Sequence, residues 1–219
     1  MEKAKTYNKI NWAFLINLLI VIFEIIALVL SIKRHGIRVF KYYTENSNYF
    51  ALIVSVIFCI YAIFSKNRIK GWVIYLRYIS TVCLTITFVV VSLVLIPMYP
   101  ASFNFLMFNG SSFFHHLVCP ILSIISFLMF ENQMHLKKFS IVFPAIPTLI
   151  YGVICIVLNI LKLLEGPYPF FYVYDISWVV CAVSAAAILL TTLLISFVFY
   201  KIFNMVYKIK ILNNKQKYA

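Results

Sequence analysis

The sequence predicts an all-α, polytopic membrane protein, a bundle of about six transmembrane helices, and three observations carry that prediction. Of the 219 residues, 64% are hydrophobic and only 11% charged, with a mean hydropathy of +0.98. That composition lies outside the range of ordinary soluble domains. The apolar residues gather into six windows, each close to the ~20 residues a helix needs to cross a bilayer. Most of the 19 Lys and Arg residues sit in short clusters outside those windows, as loops facing anionic headgroups require.

The windows run roughly 11–32, 47–65, 72–97, 113–130, 141–163 and 177–204. Their apolarity is continuous, which favours helices, because barrel strands alternate polar and apolar residues over shorter lengths. No internal repeat stands out and no soluble domain has room to fit, so residues 1–219 read as a single integral membrane domain. The first window is too long for a signal peptide and lacks a small-residue cleavage pattern, so it is expected to stay as a span.

Orientation follows from the basic residues. Cytoplasmic N- and C-termini place Lys3, Lys5, Lys9, Lys66, Arg68, Lys70, Lys137, Lys138, Lys208, Lys210, Lys215 and Lys217 on the inner side, in accord with the positive-inside rule. The first connection breaks the pattern, since Lys33, Arg34, Arg38 and Lys41 then lie outside. Either those residues hold an anionic headgroup or carboxylate, or the orientation is reversed. The abundance of Tyr, Phe, Ile and Lys beside only 5 Gly matches an AT-rich genome and points to a bacterial cell membrane. The net charge of +13, distributed between spans, argues against a nucleic-acid partner. Cys59, Cys83, Cys119, Cys155 and Cys181 all fall in apolar windows without metal-ligand spacing, so buried free thiols, no metal and no cofactor are expected.

Polar residues beside or inside apolar windows are costly unless partnered, which makes them the candidates for function. Tyr42 to Phe50, reading Tyr-Tyr-Thr-Glu-Asn-Ser-Asn-Tyr-Phe, is the densest such cluster. Glu24 stands in the middle of the first window, where it must be paired, protonated or facing a cavity. Arg77 and Glu131 are expected at one membrane face, tied as a boundary ion pair of modest worth. Six crossings bring the first, third and fifth connections to one side, so Thr44, His115, His116 and the segment from Pro167 to Asp175 share a face. There a histidine can take the proton of a threonine nucleophile. Asp175 or Glu45 can orient that histidine, and Asn46 and Asn48 can donate to an oxyanion. An equally simple reading leaves Thr44, Asn46 and Ser47 as helix caps and His115 and His116 as interfacial residues. His35 and His135 lie in basic loops and are expected to be solvated. Pro120 is expected in the early turns of its span, and Pro144 and Pro147 to kink the start of the fifth.

Several short motifs occur in a telling order: Tyr43-Thr44 with Ser47-Asn48, Leu76-Arg77-Tyr78, His116-Leu-Val-Cys-Pro120 with Glu131, Pro147 with Tyr151, and Gly166-Pro-Tyr-Pro169-Phe170 ending in Asp175. Together they resemble the bacterial six-span Pr-six-Pr family, itself similar to the androgen-induced transmembrane hydrolases. The segment after Thr44 is more acidic here than in the bacterial pattern. The resemblance implies an intramembrane hydrolase of fatty acid esters of hydroxy fatty acids, with Thr44 as nucleophile and His116, by its spacing to Pro120, as base. It makes a membrane lipid or fatty acid ester the expected partner. The basic first connection then has a use, with Arg38 and Lys41 holding a substrate carboxylate, and the aromatics of the last connection, Tyr168 among them, suit either an interfacial belt or the wall of an apolar site. Two other readings remain: a small transporter or lipid-binding module switched by Glu24, and a structural or assembly protein in which Thr44 only caps a helix.

Overall fold

A computed structural model describes residues 2–64 and 69–216. Lys66, Arg68 and Lys217 of the expected inner basic set lie outside these residues, as do the side chains of Lys3, Lys5, Lys9 and Lys215. Among the described residues, 6 helices are long and apolar enough to cross a membrane: Trp12–Lys41, Tyr43–Phe64, Gly71–Met98, Ser111–Phe130, Lys138–Ile160 and Trp178–Asn214. The chain is an all-α, multi-pass integral membrane protein. Its outer surface agrees: Ile53, Ile63, Leu93, Ile154, Val183 and Leu194 are exposed in the spans, a pattern that lipid tolerates and water does not.

Lipid tails are as apolar as leucine, so burial of aliphatic side chains does little to hold such helices together, and polar contacts and close packing take over. One ion pair illustrates this. Arg77 and Glu131 are both 0% exposed, with Nε to Oε2 at 3.1 Å. The guanidinium also donates to Ser55 Oγ and Ser123 Oγ at 3.4 and 3.2 Å, while Glu131 Oε1 accepts from Asn17 and Ser126. The first four spans are thereby tied around one buried network. The boundary pair expected from the sequence is corrected here: the tie lies in the interior, because serine and asparagine on three helices supply the donors and acceptors that a charge out of water requires. Beside it, Phe58, Val73, Ile74, Tyr78, Phe127, Leu136 and Phe203 form a packed cluster. Phe127 stacks on Phe203 with centroids 4.6 Å apart.

At the other end lie the connections after spans one, three and five. The first span ends in a 3-10 segment, Gly36–Lys41, entered through Gly36 at φ +62°, a conformation glycine adopts without steric cost, and it runs almost directly into the second. The second span starts at Tyr43, earlier than the apolar window, because Thr44, Glu45, Ser47 and Asn48 are all buried in its first turns. The connection after span three carries a 3-10 turn, Pro100–Ser102, and a short helix, Phe103–Phe108. Phe103, Phe105 and Phe108 are exposed there, the placement of aromatics at a membrane interface.

The fourth span departs from the sequence reading. Pro120 sits well inside it, not in its early turns, because the span already begins at Ser111. A π-helical turn, Phe114–Val118, immediately precedes it, and another, Val91–Leu95, precedes Pro97 in span three. Proline cannot donate to the carbonyl four residues back, and a wider turn re-accommodates that carbonyl. In the fifth span the expected proline effect is present: a 3-10 turn, Lys138–Val142, gives way at Pro144 to the helix Ala145–Ile160.

Candidate functional site

The site end is built outward from Thr44. Its backbone N–H is one of the unpaired donors of a helix start, and the acceptor it finds is the hydroxyl of Tyr168, at 3.3 Å and 124 residues away in sequence. The local side chains do not cap. Asn46 Nδ2 donates to the carbonyls of Phe40 and Tyr42, and Ser47 Oγ donates to Thr44 O while bonding Thr87 Oγ1 at 2.7 Å. Asn48, fully buried, donates to Thr44 O at 2.6 Å and to His115 O at 3.3 Å. That amide joins the threonine turn to the π-helical turn of span four.

Thr44 also lines a cavity of about 100 Å³ between spans two, three, five and six. Its walls are Ile86, Val90, Ile156, Phe170, Phe171 and Ile188, and it reaches the lipid-facing surface at Leu149 and Val153. The polar residues on it are Tyr43, Thr44, Thr87, Thr148, Tyr151 and Tyr168. Tyr43 and Thr148 are hydrogen-bonded at 2.9 Å, and Tyr151 donates to the Lys41 carbonyl at 2.7 Å. Burial pushes the Tyr168 phenol up to about 12, offset in part by its bonds to Thr44. It therefore keeps its proton at neutral pH and remains a donor beside the threonine. An apolar slot with a few convergent polar groups is the usual form of a small-molecule site.

His115 and His116 stand on consecutive positions of the π-helical turn and are both buried. His116 Nδ1 lies 2.5 Å from the Leu106 carbonyl. A carbonyl only accepts, so Nδ1 carries the proton and Nε2 the lone pair. His115 has different company: its Nε2 is 3.2 Å from Glu24 Oε2 and its Nδ1 is 3.4 Å from Glu45 Oε1. Glu45 also accepts from Ser31 and Tyr49, each at 2.9 Å.

The structure thus joins Tyr168 to the Thr44 amide and, through Asn48, the Thr44 turn to the backbone of the histidine turn, while His116 is not among the residues that line the cavity. It does not bring Asp175 in: that carboxylate is exposed, in a separate polar cleft with Asn159, Lys162, Glu165 and Tyr174. Arg38 is exposed, whereas the Lys41 ammonium lies 5.0 Å from the Tyr42 ring centre, and Tyr42 meets Tyr168 edge-on. The partner of Glu24 is the feature sequence reasoning missed. A mid-span carboxylate signals that a partner exists, but nothing in its neighbours names a histidine 91 positions away.

Comparison with protein-family models, curated proteins and solved structures yields no match to this chain.

Proposed function

We propose that the protein hydrolyses a lipid-like ester within the membrane, and the observation that carries this reading is Thr44 in the wall of an apolar slot open to lipid. In this reading Thr44 Oγ1 attacks the acyl carbonyl and His116 Nε2 takes its proton, which then passes to the departing alkoxide. Water hydrolyses the acyl-threonine by the same route. The tautomer fixed by the Leu106 carbonyl is the one a base acting through Nε2 requires. Tyr168, protonated and beside Thr44, donates to the oxyanion. Asn48 aligns the two turns, since its amide is already engaged. The ester sits with its carbonyl at the tyrosine and threonine ring and its chain leaving past Leu149 and Val153 into the bilayer. Lys41, reached through Tyr42, holds an anionic end of the substrate, and Arg38 draws it from the surface.

The resemblance to the Pr-six-Pr family and the androgen-induced hydrolases supports the same assignment of Thr44 and His116. With cytoplasmic termini, as the basic loops suggest, the site faces the outside of a bacterial cell membrane. Labelling of the purified protein by a lipophilic activated ester tests the reading. Thr44→Ala and His116→Ala are expected to abolish label, and equal labelling of all three proteins would remove the proposal.

A second reading, proton-linked lipid transport or binding, is favoured by the Glu24, His115 and Glu45 cluster. It reverses the pattern: Glu24→Gln impairs function and Thr44→Ala is tolerated.

A further inference from the structure

The cluster at His115 does not belong to the hydrolytic constellation, and its geometry points to an activity of its own. Glu24 and His115 are 0% and 1% exposed. Glu45 sits in the first turn of span two, with a side chain that is 12% exposed, and its two oxygens take Ser31, Tyr49 and the His115 Nδ1. Glu24 has no such set: neither of its oxygens, nor either nitrogen of His115, makes a settled hydrogen bond. A carboxylate at this depth whose neighbours are an imidazole and the Cys119 thiol is poorly compensated for its removal from water. Glu24 lies seven residues from Ser31 along the first span, which places it ~10 Å deeper than the residue that touches Glu45. The imidazole spans the interval, one nitrogen towards each carboxylate.

We propose that His115 relays protons between Glu45, at the membrane surface, and Glu24, in the bilayer interior, making Glu24 an intramembrane proton-binding site. The step balances without a co-reactant. A proton on Glu45 Oε1 moves to His115 Nδ1, the proton on Nε2 moves to Glu24 Oε2, and the imidazole is left neutral with the opposite tautomer. The reverse transfer restores it. The other titratable groups against the relay are Tyr49 on span two, and His116 and Cys119 on span four. His116 is held by Leu106, Tyr49 by Glu45, and Cys119 lies against Glu24 alone, so the imidazole of His115 is the group with a nitrogen towards each carboxylate. Among the described residues no group of three acidic, histidine or cysteine side chains is arranged to hold a metal ion, and the proton is the ligand this geometry serves. The inference does not depend on ester hydrolysis.

Infrared difference spectroscopy on the full chain in lipid bilayers tests it. A protonated-carboxyl band is expected to grow as pH falls, to be absent in Glu24→Gln and to persist in the control Glu165→Gln. Deuterium exchange into that band is expected to slow by on the order of 100-fold in His115→Gln, and Glu45→Gln, which keeps the histidine, is expected to reproduce the slowing should the first variant fail to fold. A band unchanged in Glu24→Gln, or exchange in Glu45→Gln as fast as in the unsubstituted chain, overturns the proposal.

Discussion

The hydroxyl of Tyr168 closes the first turn of the second span by accepting from the Thr44 amide at 3.3 Å. One contact therefore joins the fifth connection to the start of span two, where Thr44 lines the slot. The stability of this end and the placement of Thr44 are coupled through a single phenol.

Tyr168→Phe keeps the ring and its edge-on contact with Tyr42 but removes the cap. Losing a helix cap costs about 0.5–2 kcal/mol, so thermal unfolding in detergent is expected to begin at lower temperature. Thr44→Ala removes no cap, and its unfolding is expected to move less than that of Tyr168→Phe. The opposite order would return capping to the threonine. If the ester reading holds, Tyr168→Phe also slows labelling at Thr44 without abolishing it.

Gly152 lines the slot, and an added Cβ there meets nothing within 4 Å. Gly152→Leu is therefore expected to fill the slot while the fold survives. Bound lipid, counted by mass spectrometry after gentle purification, and labelling by a lipophilic ester should both fall, with the thermal transition close to that of the original chain. Undiminished lipid and label would place the ligand elsewhere.

Gly166 is the opposite case. A Cβ at this position would stand 2.6 Å from Tyr172 Cδ1 and 2.8 Å from the Phe171 carbonyl, and the backbone atom cannot yield as a side chain end can. Gly166→Ala is expected to cost about 1–3 kcal/mol and to displace the segment carrying Tyr168. Its effect on unfolding should then be non-additive with Tyr168→Phe.

Arg77→Met leaves the Glu131 carboxylate buried without its counter-charge and is expected to cost about 3–5 kcal/mol. The pair Arg77→Met with Glu131→Leu removes both charges and should recover much of that loss. Unfolding free energies around this cycle measure the coupling. A double variant as unstable as the sum of the two single changes would show that the pair acts independently.

Much of the architecture is set by sequence because lipid imposes one strict condition on the backbone: every N–H and C=O must be satisfied within its own segment. A window such as 72–97 then has one outcome, and the helix Gly71–Met98 follows. The cost of unpartnered polar side chains beside lipid likewise makes Tyr42 to Phe50 stand out in the sequence. What sequence could not supply is which distant group answers each polar residue. Thr44 finds its cap in Tyr168, Glu24 meets His115, and Arg77 is enclosed by serines from two other spans. Each of these contacts crosses between helices whose rotation about their own axes is fixed only when all of them pack. The spans are a property of local hydrophobicity. The site is decided by the tertiary structure, because a buried charge or an open helix end is satisfied by whichever side chain the finished bundle carries past it.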